Sequence, residues 1–184
     1  MNKGIPALLL ALCVLVTAHT SHSQASPPAA NPDLEVTLAV GPSTPPAAIP
    51  TISLQLRNNG SAELRVPLSS GCGPDMYGPN HGTNHVVLYF TDLWGNTMRL
   101  RDKRGNTPCG GTMGFYFVTV APGAEVSVPV ELNYYYTLSP DIASGPDTVW
   151  AGWLPGRLYH VWAALDAGSL GQYKSNQIDI RFPA

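Results

Sequence analysis

The chain has 184 residues and a net charge of −2, with 44% hydrophobic and 12% charged residues. The charged fraction is about half that of an average soluble domain, yet apolar residues occur throughout, which excludes both a charge-driven disordered chain and a basic nucleic-acid-binding protein. The 18 glycines and 18 prolines separate short apolar runs. This spacing predicts an all-β domain without long helices.

The first 25 residues resemble a secretory signal peptide. A positive start with Lys3 precedes an apolar run over residues 5–16, and small, polar residues follow as far as Ala25. We predict cleavage after Ala25, with Ala18 as the alternative site, and hence a secreted or periplasmic protein. The run is too short to span a bilayer comfortably, and no later stretch has the roughly 20 apolar residues of a transmembrane helix.

The mature chain begins with a segment rich in Pro and Ala, which predicts a flexible lead-in over residues 26–33 before one domain at residues 34–184. Alternating apolar and polar residues then predict strands with one buried face. About nine such segments occur, at residues 34–40, 52–57, 64–68, 86–91, 97–101, 115–120, 126–132, 159–165 and 178–182. Between the second and third, Asn58-Asn59-Gly60-Ser61 predicts a tight hairpin, because Asn-Gly favours the positive φ angles of such turns. We predict a sandwich of two antiparallel sheets.

The order of strands and turns resembles the immunoglobulin-like modules of bacterial secreted proteins. The resemblance rests on Leu-Arg-Asn-Asn-Gly at residues 56–60, an Asp-x-x-Gly turn at 92–95, a Pro-Gly turn at 122–123 and Gly-x-x-Tyr-x-Val-x-Ala at 156–163. Among these modules the layout is similar to the BsuPI-type proteinase-inhibitor domain. The resemblance implies an immunoglobulin-like β-sandwich that contacts another secreted protein, such as a peptidase.

Two cysteines, Cys72 and Cys109, remain after Cys13 leaves with the signal peptide. In an oxidising compartment a disulfide is the expected state, and closing this loop would stabilise the fold by roughly 3 to 4 kcal/mol. The alternatives are a pair of metal thiolates or a redox couple. The sequence has no motif for either alternative, because it contains no C-x-x-C and no third cysteine after the signal peptide.

Known catalytic motifs are missing from the sequence. It contains no G-x-S-x-G, H-E-x-x-H, Walker loop or G-x-G-x-x-G. The histidines beyond the signal peptide are His81, His85 and His160, too few to assemble a recognisable site from sequence alone. We therefore predict a protein that acts by binding and is not an enzyme.

Three long loops, at residues 70–84, 102–114 and 133–156, contain the candidate binding residues. Imidazole and thioether groups in the first two loops suit copper in an exported protein, with Met76, His81, His85 and Met113 as the predicted ligands. The alternative is that the histidines are solvated or cap turns and that Met113 fills a gap in the core.

The third loop is aromatic, and its candidates are Tyr134, Tyr135, Tyr136, Trp150 and Trp153. Flat side chains of this kind bind a sugar or a groove in a partner protein. The alternative is that they pack onto the open end of the core, as we also expect of Trp94 and Trp162 elsewhere in the chain.

A last cluster is basic, formed by Arg99, Arg101, Lys103 and Arg104. We interpret it as a device that keeps an exposed strand edge from pairing with another chain, since four charges beside Asp102 are a poor phosphate-binding surface.

The sequence thus predicts an exported, non-enzymatic module for protein–protein interaction, either inhibitor-like or an accessory domain. The alternative function is copper or glycan binding through the loops at one end of the sandwich.

Overall fold

A computed structural model describes residues 28–41, 51–72, 82–104, 113–137 and 156–182. These residues form an all-β fold in which every strand pair is antiparallel. The strands are β1 (Leu34–Val40), β2 (Ile52–Asn58), β3 (Leu64–Cys72), β4 (Val86–Asp92), β5 (Thr97–Asp102), β6 (Met113–Val120), β7 (Glu125–Val130), β8 (Tyr135–Thr137), β9 (Leu158–Asp166), β10 (Gln172–Lys174) and β11 (Ile178–Arg181). The nine predicted strands are confirmed, except that Leu132, predicted in the seventh of them, lies in a 3₁₀ helix at Leu132–Tyr134. The short strands β8 and β10 are additional. Within these ranges, no helix is long and apolar enough to cross a membrane.

The strands form two main sheets and a ribbon. The smaller sheet has the order β1-β2-β7, the larger one has the order β10-β9-β4-β5-β8 with β11 also paired to β9, and β3 pairs with β6 as a two-stranded ribbon. Alternate residues of both sheets point into one shared core, including Leu54 of β2, Phe90 of β4 and Val161 of β9. This arrangement is consistent with a β-sandwich.

The predicted hairpin at residues 58–61 is wrong. Strand β2 pairs with β1 and β7, whereas β3 pairs with β6, so this connection leaves the smaller sheet. The buried Asn58 side chain holds the crossing: its Nδ2 donates to the carbonyl oxygens of Ala62 at 2.7 Å and Val120 at 2.9 Å, and its Oδ1 accepts from the Gly60 N–H at 2.9 Å. A Cβ on Gly60 would lie 2.6 Å from Asp33 Cγ, so close packing explains this glycine.

The turn predicted at residues 92–96 is confirmed and joins β4 to β5. Asp92 Oδ1 accepts hydrogen bonds from the backbone N–H groups of Trp94 and Asn96, and Gly95 adopts a φ of 83°. The interpretation of the basic cluster as an edge device is wrong at Arg101, because β8 covers the edge of β5 at Leu100, Arg101 and Asp102; no described strand pairs with Arg99 on that side.

Side chains near the end of the described chain form hydrogen bonds with residues near its beginning. The end of the expected lead-in is docked, since the Asn31 N–H donates to the hydroxyl of Tyr173 at 2.9 Å and to the carbonyl of Leu170 at 2.8 Å. Asn176, between β10 and β11, accepts from the Leu38 N–H at 2.6 Å and donates to the Leu38 carbonyl at 3.2 Å. The Asn176 amide thus takes the place of a neighbouring strand's backbone at Leu38 and connects the two sheets.

Candidate binding surfaces

The outer face of the larger sheet is the most distinctive surface of the described chain. Side chains alternate between the two faces of a strand, so the burial of Tyr159, Val161, Ala163 and Leu165 places Trp162 on the outside of β9. The register pairs Trp162 with Tyr89 of β4, and Tyr89 with Arg99 of β5. These side chains therefore form one row across the sheet, which we call the aromatic row and which also includes Lys174 of β10.

The aromatic row is a continuous stack. The Trp162 and Tyr89 rings are nearly parallel, at 2°, with their centroids 3.8 Å apart. The ammonium of Lys174 lies 4.4 Å from the Trp162 centroid, and the guanidinium of Arg99 lies 5.7 Å from that of Tyr89. Ring stacking contributes about 0.5–1.5 kcal/mol and each exposed cation–π contact about 0.5–1 kcal/mol. These contacts restrict the side chains of the row in the folded protein.

The residues around the aromatic row are polar. His160 Nδ1 lies 2.7 Å from Asp179 Oδ1, and the Thr91 and Thr97 hydroxyl oxygens are 2.9 Å apart. Alternation from the register places the following charged residues on this same face: Arg99, Arg101, Lys174, Arg181, Asp166 and Asp179. The outer face therefore carries more positive than negative groups, although the whole chain has a net charge of −2.

The outer face of the smaller sheet is different in kind. The residues that point outward there are small or polar, as in Gln55, whose amide donates to the hydroxyls of Ser53 at 3.1 Å and Ser127 at 3.2 Å. Its charged members are Glu35, Arg57 and Glu125, which pair across β1, β2 and β7. No aromatic side chain belongs to the described strands of this face. The two outer surfaces of the fold are thus chemically unequal.

The cations of the outer face differ from Arg104 and Arg157, which are ion-paired. Arg104 forms ion pairs with Asp102 and Glu131, and Arg157 lies 3.7 Å from Asp92. Within the described ranges, no ion pair involves Arg99, Arg101 or Lys174. Arg99 and Lys174 lie against aromatic rings, whereas the half-buried Arg101 has an Nε that is buried without a hydrogen-bond partner among the described residues.

The candidates of the aromatic loop take different positions. Tyr135 is 1% exposed and lies in the core, as the packing alternative states, and burial raises the pKa of its hydroxyl. Tyr134 is half-buried, with its ring 4.0 Å from the Arg104 guanidinium. Tyr136 belongs to β8 and pairs with Arg101 through the backbone. Trp150 and Trp153 lie outside the described residues.

A buried polar network fixes the elements around Tyr135. Its hydroxyl lies 2.8 Å from Thr83 Oγ1, and the Thr83 N–H donates to Asp102 Oδ2 at 3.0 Å. The same carboxylate accepts from Arg104 Nη2 at 2.6 Å, while Nη1 of Arg104 pairs with Glu131. Burial alone would lower the pKa of Arg104, but the hydrogen bonds to the two carboxylates outweigh it and raise that pKa. The network joins β5, β8 and the approach to β4.

His85 is the member of the predicted copper set whose side chain the structure describes. Its Nε2 lies 2.9 Å from Ser70 Oγ, its ring contacts Phe115 edge-on, and its Nδ1 is buried without a hydrogen-bond partner in the described part of the chain. Burial lowers the pKa of His85, and Arg101 acts in the same direction. The His85 side chain thus packs between β3, β4 and β6.

The other predicted ligands and the cysteine pair are described in part. Met76, His81 and Cys109 lie outside the described residues, and Met113 is opposite Cys72 in the β3–β6 register. Among the described residues, no three His, Cys, Asp or Glu side chains come together as metal ligands. The copper set and the disulfide therefore stay predictions.

Apolar side chains are also exposed away from the outer face. Phe115 and Phe117, on one side of β6, are 48% and 37% exposed, and the Arg65 guanidinium lies 4.7 Å from the Phe117 ring centroid. The expected burial of Trp94 is wrong: this side chain is 68% exposed at the β4–β5 turn, with Arg157 4.3 Å from its ring. The same expectation is wrong for Trp162, whose ring is half-buried on the outer face of the larger sheet.

Sequence reasoning misses the aromatic row, although part of its signal is present. The alternation that predicts Tyr159, Val161, Ala163 and Leu165 as the buried face of a strand puts Trp162 on the opposite face. Its neighbour Tyr89 lies in a nearly continuous apolar run, which hides the alternation. That the two rings meet depends on the β4–β9 register, which a single sequence does not contain.

No protein-family model matches the sequence, and no curated protein matches it at a significant level. The resemblance to the BsuPI-type domain therefore stays a prediction.

Proposed function

We propose that this chain is an exported, non-enzymatic binding module with an immunoglobulin-like β-sandwich fold, and that it contacts another secreted protein, with a peptidase as the expected class. The observation that carries the proposal is the aromatic row. Trp, Tyr and Arg are the residues most enriched where protein interfaces derive their binding energy. Here Trp162, Tyr89 and Arg99 lie side by side on one outer face of the fold.

The order already present in the row supports a binding role. Long or flat side chains normally lose rotamer freedom on association, at about 0.5–1.5 kcal/mol each. In the free protein, the Trp162–Tyr89 stack and the flanking cations already restrict these side chains. A partner that docks on this face therefore meets an ordered surface, and the entropic cost of binding is correspondingly lower.

The glycan alternative has less support on this face. Sugars stack on a free aromatic face, but Trp162 is covered by Tyr89 on one side and by Lys174 on the other, since β4 and β10 flank β9. Tyr89 is likewise covered by Trp162 and Arg99. The ring edges and the cationic groups remain for contact, which suits a protein surface.

The test is capture of a partner with and without the aromatic row. The processed protein is immobilised, exposed to the secreted proteins of its own host, and the retained proteins are identified and then purified for direct titration. Replacing both rings, in a Tyr89→Ser, Trp162→Ser variant, should weaken binding of the identified partner by at least tenfold. Its Tm should fall by roughly 3–14 °C, because the ring stack and both cation–π contacts are lost, and its unfolding should stay cooperative, so that binding is measured on folded protein.

The matched control is Gln55→Ala on the outer face of the smaller sheet, which should bind the partner as the wild type does. Equal binding by the wild type and the double variant would contradict the proposal. If the partner is a peptidase, its activity in the presence of the protein separates the two remaining roles: loss of activity indicates an inhibitor, and unchanged activity indicates an accessory domain.

The predictions of export and of a disulfide are tested by separate experiments. Amino-terminal sequencing of the protein from its host should begin at Ser26. Cys72 and Cys109 should resist alkylation until a reductant is added, since an oxidising compartment favours the disulfide. Intact export with both thiols alkylated at once would contradict the disulfide and leave the binding proposal standing.

A further inference from the structure

We infer that the outer face of the larger sheet docks an acidic, extended segment of a protein partner, whose carboxylates pair with Arg99, Arg101 and Lys174. This inference rests on the proposed function and names the chemistry of the partner. Three properties of the face support it: its charge, the spacing of its cations and the geometry of their side chains.

Positive charge is concentrated on this face. Among the described strands it has four cationic residues and two acidic ones, Arg99, Arg101, Lys174 and Arg181 against Asp166 and Asp179. The whole chain, in contrast, has a net charge of −2. The cations thus share the face that also carries the aromatic row. Complementary charge steers a partner to such a face and sets its orientation.

The spacing of the cations fits an extended chain. Lys174 and Arg99 belong to β10 and β5, which are three strand positions apart in the sheet. Neighbouring strands are about 4.8 Å apart, so the two strands are separated by roughly 14 Å, about the length of four residues in an extended chain. Acidic residues four positions apart on a segment that crosses the strands would reach both ends of the row. Arg101, two residues beyond Arg99, extends the positive surface along β5.

The geometry of Arg99 leaves its donors free for a carboxylate. A guanidinium group binds a carboxylate through two parallel N–H donors, and its planar face can stay on an aromatic ring while it does so. The cation–π contact with Tyr89, at 5.7 Å, positions the Arg99 guanidinium group. No carboxylate of the described chain forms an ion pair with this group. Arg104, which has a similar contact with Tyr134, is already bound to Asp102 and Glu131. The two arginines therefore have different tasks, Arg104 in the fold and Arg99 on the surface.

The test measures binding of a fluorescent 20-residue poly-L-glutamate peptide to the processed protein by anisotropy, at low and at high salt. The wild type should bind the peptide at low salt and lose most of this affinity at about 300 mM NaCl, because exposed charges are screened. The Arg99→Glu, Lys174→Glu variant should bind about tenfold more weakly or worse. The control is Arg57→Glu on the opposite outer face, which makes the same kind of charge change at another site and should bind close to wild type.

Each outcome decides the inference. Absence of peptide binding, or equal losses in the Arg57→Glu and Arg99→Glu, Lys174→Glu variants, would overturn it. Stronger binding of polygalacturonate, with the same loss in the double variant, would also overturn it and assign the face to an acidic glycan. With the native partner in hand, a loss on Tyr89→Ser, Trp162→Ser but not on charge reversal would leave the proposed function standing and reject the acidic partner. If neither variant affects capture of the partner, both proposals fail.

Discussion

Removal of the buried Asp102 carboxylate should destabilise the fold more than the loss of any exposed charge. Asp102 is fully buried and accepts hydrogen bonds from the Thr83 N–H at 3.0 Å and from Arg104 Nε and Nη2 at 3.0 and 2.6 Å. In an Asp102→Ala variant the Thr83 N–H loses its acceptor, which costs about 1–3 kcal/mol. Arg104, whose side chain is 12% exposed, would keep Glu131 as its partner while losing the buried one.

Breaking a buried ion pair from one side typically costs about 3–5 kcal/mol in total. We therefore expect Asp102→Ala to lower the unfolding free energy by about 4 kcal/mol, which for a domain of this size corresponds to roughly 10 °C in Tm. Urea unfolding followed by tryptophan fluorescence measures the free energy, and calorimetry measures Tm. Glu131→Gln is the surface control, since the Glu131 side chain is 50% exposed, and it should cost less than about 1 kcal/mol.

A double-mutant cycle separates the ion pair from simple loss of packing. Asp102→Leu leaves Arg104 with Glu131 alone, and Arg104→Met leaves the buried Asp102 carboxylate without its cation, whereas the combined variant removes both charges of the buried pair. The combined variant should therefore lose clearly less stability than the sum of the two single variants. A cost below about 1 kcal/mol for Asp102→Ala, or full additivity in the cycle, would refute this account of the network.

Three other side chains have roles that unfolding experiments can measure. Asn58→Ala should cost about 2–4 kcal/mol in urea unfolding, because two carbonyls and the Gly60 N–H lose partners where the chain leaves the smaller sheet; a neutral result would contradict the role of Asn58 at this crossing. Tyr135→Phe should cost about 1 kcal/mol through loss of the contact with Thr83, whereas a drop in partner binding without a loss of stability would place this residue at the interface. Burial lowers the pKa of His85 from 6.5, so the unfolded chain binds a proton more readily than the folded one. Stability should therefore be greatest above pH 6.5 and fall below it towards the lowered pKa, less steeply in His85→Gln, as unfolding curves at about pH 7.5 and 5.5 will reveal.

The strands could be predicted from the sequence because alternation is a local signal. Val126, Val128 and Val130 alternate with polar residues, and β7 lies where this pattern predicts it. Sheet membership could not be predicted in the same way. Asn58-Asn59-Gly60-Ser61 has the composition of a tight hairpin, but β2 pairs with the preceding strand β1 and with β7, which is distant in the sequence, and not with β3.

The aromatic row depends even more on pairing between strands that are distant in the sequence. Loop composition predicts Tyr135 as a binding residue, whereas its ring and hydroxyl are used inside the fold. Large rings such as Trp162 are usually buried, but this one lies on the outer face against the ring of Tyr89, which belongs to a strand distant in the sequence. The chemistry of each residue could be foreseen, whereas which residues become neighbours is decided by strand register.

The hydrogen bonds that join the two ends of the chain have a consequence for the order in which the protein folds. The Asn31–Tyr173 and Leu38–Asn176 contacts link residues 142 and 138 positions apart. Because contacts of such long range form slowly, β1 and the segment before it remain without these partners until residues 173–176 are available. A fold built in this way is completed late, only after β1 has met the turn that follows β10.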